Sequence, residues 1–147
     1  MTNPIRAAKW QPSTDAELEA LQEAFPQVDP GHWPVGDLIL VQIRTPKKKS
    51  KGGIILTTDV KETDKWNTQT AKVIALGPLA YHNKSTLEPW PEGPWAVPGD
   101  FVRCKLYGGD RFVVPHGDGE EALFMMCHDH EILGLVTSNP LSVKAYV

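Results

Sequence analysis

The sequence predicts a small all-β barrel. Short apolar runs recur between turn-forming clusters, and thirteen prolines and twelve glycines in 147 residues leave little room for long helices. One stretch, near the N-terminus, shows helical spacing. The length suits a single domain with a real core. A content of 41% hydrophobic and 22% charged residues is ordinary for a soluble globular protein.

The elements follow in order. Residues 1–12 read as a loose lead-in. Thr14 and Glu17 have capping-box spacing, a hydroxyl followed three residues later by a carboxylate. Leu18, Leu21 and Phe25 then share one face and Pro26 stops the run, so a short helix is expected over 15–25. Residues 26–34, PQVDPGHWP, form a turn-rich connector. VGDLILVQIR at 35–44 is apolar on both faces, as a barrel strand covered on two sides would be. AKVIAL at 71–76 is a second strand, ended by Gly77-Pro78. The prolines of residues 79–97 exclude a central strand there and leave a long loop or loose hairpin carrying Trp90 and Trp95. FVRCKL at 101–106 alternates, with Val102, Cys104 and Leu106 on one face and Phe101, Arg103 and Lys105 on the other. Further strands are expected at 111–114, 122–126 and 132–136, the last two around the polar bend His128-Asp129-His130-Glu131.

Residues 45–69, TPKKKSKGGIILTTDVKETDKWNTQ, break this pattern. A lysine-rich run leads to Gly52-Gly53, then to Ile54-Ile55-Leu56, with no apolar period continuing on either side. Burying three such side chains is worth about 1.5–3 kcal/mol each, yet the flanks have the composition of unstructured chain. Two readings are open for these residues alone: a short core strand, or an apolar plug offered to a partner.

Composition excludes several functions. A net charge of −3 gives no electrostatic case for nucleic acid, and mixed signs argue against a membrane surface. No apolar run approaches a membrane span, and the N-terminus lacks the apolar stretch of a secretory signal, so a cytoplasmic, reducing setting is expected for Cys104 and Cys127.

The order of features resembles the GroES-type co-chaperonins. A strand, a polar loop with GGIIL at 52–56, KVIALG at 72–77, a long hairpin-like insert, PGDFVRCKLYGG at 98–109 and LFMMCHDHEILGLV at 123–136 follow one another with near-family spacing. The resemblance covers 35–136. It implies a GroES-like irregular antiparallel β-barrel with a long mobile loop at 45–69, a roof insert at 78–97 and a short N-terminal helix. It further implies a ring, most simply a heptamer, acting as a lid on an ATP-bound chaperonin and enclosing a client protein. The family's contact residues fall on Gly52, Gly53, Ile54, Ile55 and Leu56. Such a lid is no enzyme and needs no cofactor or metal; the ATPase belongs to the partner.

The chain departs from the family in its extensions, 1–34 and 137–147, and in a longer loop and roof. Added mass of this kind is similar to that of bacteriophage-encoded co-chaperonins. The N-terminal helix is expected on the outside of the ring or at a subunit contact. Rival readings are a monomeric β-barrel binding module and a metal-binding phage structural protein. For the metal, Cys127, His128, Asp129 and His130, with His116, supply suitable ligand types. Their spacing matches no strong zinc pattern, and alternation sends Cys127 and His128 to opposite faces. Cys104 reads as a small buried residue rather than a nucleophile, and Gly52-Gly53 lacks the remainder of a phosphate-binding loop.

Overall fold

The computed structural model describes residues 10–45, 69–105, 108–117 and 119–142. Among the described residues one α-helix, α1 (Asp15–Ala24), precedes six strands: β1 (Leu38–Ile43), β2 (Thr70–Leu76), β3 (Phe101–Cys104), β4 (Asp110–His116), β5 (Glu120–His128) and β6 (Ile132–Leu135). All pairings are antiparallel, in the order β4-β5-β1-β2-β3-β6. The expected all-β architecture is therefore present. Each expected strand is found: β2, β4 and β5 run past their apolar runs because polar residues continue the ladder, whereas β1, β3 and β6 are shorter than 35–44, 101–106 and 132–136, and Leu106 lies outside the described residues.

The sheet is strongly curled. In a flat sheet β3 and β5 would lie three strand spacings apart, about 14 Å. Yet Cys104 in β3 and Cys127 in β5 share one buried cluster with Ile39, Val41, Val73, Val102 and Met125. The concave face is thus the barrel interior. Alternation along β1 sends Ile39, Val41 and Ile43 inward and Leu40 outward, and every residue from Ile39 to Ile43 is buried. Both faces of this strand are covered, as its composition requires.

The cover on the outer face comes from the N-terminal segment. Val28 packs on a second apolar cluster built from Leu40, Ala75, Ala122 and Phe124. Phe25 meets Phe101 edge-on at 5.3 Å between ring centroids, and His32 lies 4.2 Å from Phe112. Phe112 itself stacks on its cross-strand partner Phe124. The buried Gln42 donates its side-chain amide to Pro26 O at 2.7 Å, which resolves the one polar residue on this face of β1. The helix expected over 15–25 spans Asp15–Ala24, with Phe25 as its C-cap. Thr14 Oγ1 accepts from Glu17 N as expected. The Glu17 carboxylate reaches Ser13 N rather than Thr14 N, one residue earlier than a capping box would place it.

Candidate functional site

The predicted contact residues Gly52, Gly53, Ile54, Ile55 and Leu56 lie outside the described residues. Their attachment to the barrel is well defined. Ile43 at the end of β1 pairs with Ala71 near the start of β2, so the chain leaves and returns side by side. On the outgoing limb Thr45 N donates to Ala24 O at 2.9 Å, which ties the end of α1 to the residue where the loop begins. On the return limb Gln69 is held on three sides. Its carbonyl accepts from Cys104 N at 2.7 Å, its Nε2 donates to Cys104 O at 3.1 Å, and its Oε1 accepts from Arg103 at 3.1 Å.

The same two strands run to the roof at their other ends. Ile39 pairs with Leu76, after which Gly77 opens the insert. A Cβ on Gly77 would lie 2.5 Å from Gly36 O and 2.7 Å from Leu38 O, so no other residue fits where these backbones cross. The two attachment points at Thr45 and Gln69 and the start of the 78–97 insert after Gly77 therefore lie at opposite ends of one antiparallel pair. Strand direction alone dictates this: the connection between two antiparallel strands lies at one end, and whatever follows the second strand begins at the other.

The roof insert has almost no ladder of its own; an isolated bridge joins His82 to Pro89. Tyr81, Trp90 and Trp95 instead form an aromatic trio, with ring centroids 5.1–5.8 Å apart, packed on the barrel interior. The turn at 83–88 is organised by Asn83, whose Oδ1 accepts from Ser85 N and Thr86 N.

The bend at 128–131 is a single 3-10 turn, closed by His128 N donating to Glu131 Oε1 at 2.9 Å. Cys127 faces the interior beside Cys104, whose hydrogen bond, followed by burial, pushes the Cys127 thiol far above its usual range. Such a thiol is a packing residue with little thiolate character. His128 points outward, its Nδ1 3.0 Å from Asp37 Oδ1, and the exposed His130 ring stacks on it at 5.5 Å. Asp129 is fully buried, which a polar bend gave no reason to expect. Its Oδ2 accepts from Tyr81 N and from Lys84 Nζ, both at 2.8 Å. Burial acts to raise its pKa, but the Lys84 ammonium and the Tyr81 N–H outweigh it and hold the carboxyl below its usual value. Among the described residues no group of three or more His, Cys, Asp or Glu is placed to hold a metal ion, and no helix is long and apolar enough to cross a membrane.

Comparison with known proteins places this geometry. The family model described as "Chaperonin 10 Kd subunit" matches residues 32–136. The co-chaperonin GroES of Caulobacter sp. (strain K31) is 30% identical over 108 residues, covering 70% of this chain and 94% of that protein. Those of Lactococcus lactis subsp. cremoris (strain SK11) and Limosilactobacillus reuteri (strain DSM 20016) are each 31% identical, over 103 and 104 residues, with 70% of this chain and 96% of theirs covered. The match begins at His32, so α1 and the residues that cover the outer face of β1 up to Gly31 are additions to the shared barrel. The family match, the relatives and the fold agree: the chain belongs to the chaperonin 10 kDa subunit family.

Proposed function

We propose that this chain is a co-chaperonin: a non-catalytic subunit of a ring-shaped lid that caps an ATP-bound, GroEL-type chaperonin and encloses a client protein. The observation that carries this reading is the placement of the loop's attachment points and the start of the roof insert at opposite ends of β1 and β2. A subunit so built can grip a partner below while closing a chamber above. Residues 35–136 are the lid domain in this reading, with 1–34 and 137–147 as extensions.

Gly52, Gly53, Ile54, Ile55 and Leu56 are the gripping residues. Three aliphatic side chains offer about 5–8 kcal/mol by area, and ordering a loop costs on the order of 2–5 kcal/mol. One loop alone would bind at about millimolar strength or weaker. Several copies presented by one ring make the later contacts intramolecular and raise avidity steeply. Weak single contacts also permit release when the partner changes state.

Surface chemistry supports self-association; a ring of about seven is what the family resemblance implies. The sheet order ends in β4 and β6, and open strand edges invite pairing. Leu133 on β6 and Val113 on β4 are exposed, as are Trp33 and Val35 just before β1. Ring contacts would cover such apolar side chains.

The test is co-elution with a chaperonin in the presence of ATP, together with sedimentation of the protein alone. A species of about seven chains and a stable complex are expected, and Ile55→Asp should abolish the complex while leaving the ring intact. A monomer at micromolar concentration, or an Ile55→Asp ring that still binds, would overturn the proposal. The monomer would favour a stand-alone binding module.

A further inference from the structure

The buried carboxylate in the turn between β5 and β6 has no role in loop binding, yet the roof insert converges on it. Asp129 Oδ2 receives a backbone donor, Tyr81 N, and a side-chain donor, Lys84 Nζ, both from the insert. Lys84 Nζ also donates to Leu79 O at 3.1 Å and His82 O at 3.0 Å, closing the insert's first turn onto itself. The same ammonium lies 3.8 Å from Asp37 in the segment before β1 and 5.6 Å from the Trp90 ring centroid. Asp37 in turn is bonded to His128, and Asp37 O accepts from Asp129 N at 3.1 Å. One lysine thus joins the insert to two other segments at this end of the barrel.

A buried carboxylate is tolerable only when paired. Both donors to Oδ2 are supplied by the insert, while Oδ1 faces the ring of the neighbouring His130, with Nδ1 at 3.5 Å; the insert thus makes burial of Asp129 possible, and Asp129 gives an insert without a ladder a fixed seat. We infer that Asp129 is a positioning residue, a peg that seats the roof insert through Tyr81 and Lys84, and that the roof can be unseated without disturbing the loop at the far end of β1 and β2. The second half of this inference rests on the proposed lid function; the first half does not.

The test measures amide hydrogen exchange in the intact protein alongside chaperonin co-elution. Lys84→Met leaves the buried carboxylate without its cation and should speed exchange at the Tyr81 amide at least tenfold, with β1 amides unchanged and chaperonin binding within about twofold of the parent. Lys84→Arg should retain protection. Adding Asp129→Asn to Lys84→Met should restore Tyr81 protection to within about threefold, because no uncompensated charge is then buried; additive losses instead would mean that the two residues act independently and would overturn the peg. Tyr81 exchange within twofold of the parent in Lys84→Met would overturn the peg. Loss of chaperonin binding in that variant, with Tyr81 deprotected, would overturn the independence of roof and loop but leave the peg standing. If the parent protein binds no chaperonin at all, the lid reading fails while the exchange result still decides the peg. Should Lys84→Met not fold, native-state exchange of the parent decides: Tyr81 opening only together with β1 would show that no separate roof motion exists.

Discussion

The N-terminal arm and the roof insert both lie against the same barrel, and they are attached by different physics. The arm, from α1 to His32, is held by apolar packing: Phe25 on Phe101, Val28 on the Leu40–Phe124 cluster, His32 on Phe112. Its polar ties are neutral hydrogen bonds, Gln42 to Pro26 O and Thr45 N to Ala24 O. The roof combines an aromatic trio with one buried charge, Asp129, and a half-exposed cation, Lys84. Apolar attachment, as at Phe25 and Val28, is spread over many small contacts and depends on no single charge. Attachment through a buried ion concentrates on one point and is conditional on protonation. Segments added to one scaffold can therefore differ in how they come off.

The largest effect should come from breaking the arm's packing. Phe25 is almost fully buried, and Phe25→Ala should cost about 3–5 kcal/mol, read as a lower urea midpoint with unchanged slope. A loss under about 1 kcal/mol would mean that the arm is a loose attachment and the contrast is false. Next, Gln42→Ala removes the side-chain donor to Pro26 O and should cost about 1–3 kcal/mol, equally in low and high salt. Marked salt dependence would contradict a neutral attachment.

Acid should act on the roof before the arm. Asp129 has its folded pKa lowered from the ordinary 3.8. Its contribution to stability is therefore complete above that unfolded value and is lost as pH falls through the lower folded one. Exchange at the Tyr81 amide, corrected for intrinsic rate, should be flat from pH 7 to 5 and rise only below about pH 4, while α1 and its contacts hold. Loosening of the arm first would reverse the comparison. The smallest effect is expected at the helix start, where Thr14→Ala removes the cap on Glu17 N at about 1 kcal/mol, seen as a shift of one to a few degrees in melting.

The barrel was legible because its signals are periodic. The alternation of Val102 and Cys104 against Phe101 and Arg103 reappears as buried and half-buried faces, and the two-sided apolar pattern of β1 reappears as burial on both sides. Pro115 did not end β4, because an edge strand has a free side on which a missing N–H does no harm. The arm's role was not legible. PQVDPGHWP contains no period, and each of its contacts is made by a single residue whose partner is far away in sequence. Asp129 was hidden for a different reason: a carboxylate in a polar bend looks the same whether it faces water or a lysine 45 residues away. Ile54, Ile55 and Leu56 stand out by composition, while their reading with Gly52 and Gly53 as contact residues is what the family resemblance implies; these residues lie outside the described ones.

The direction of β2 has a mechanical consequence. This strand, Thr70–Leu76, seven residues or about 23 Å long, links the loop's return at Gln69 to the insert's start at Gly77. A pull applied at the loop and resisted at the roof would travel along its covalent backbone. The hydrogen bonds to β1 and β3 would then act as lateral bracing, set across the load so that they bear it jointly instead of failing in succession. β2 is in this sense a tie between the residue at which the loop returns and the residue at which the insert begins.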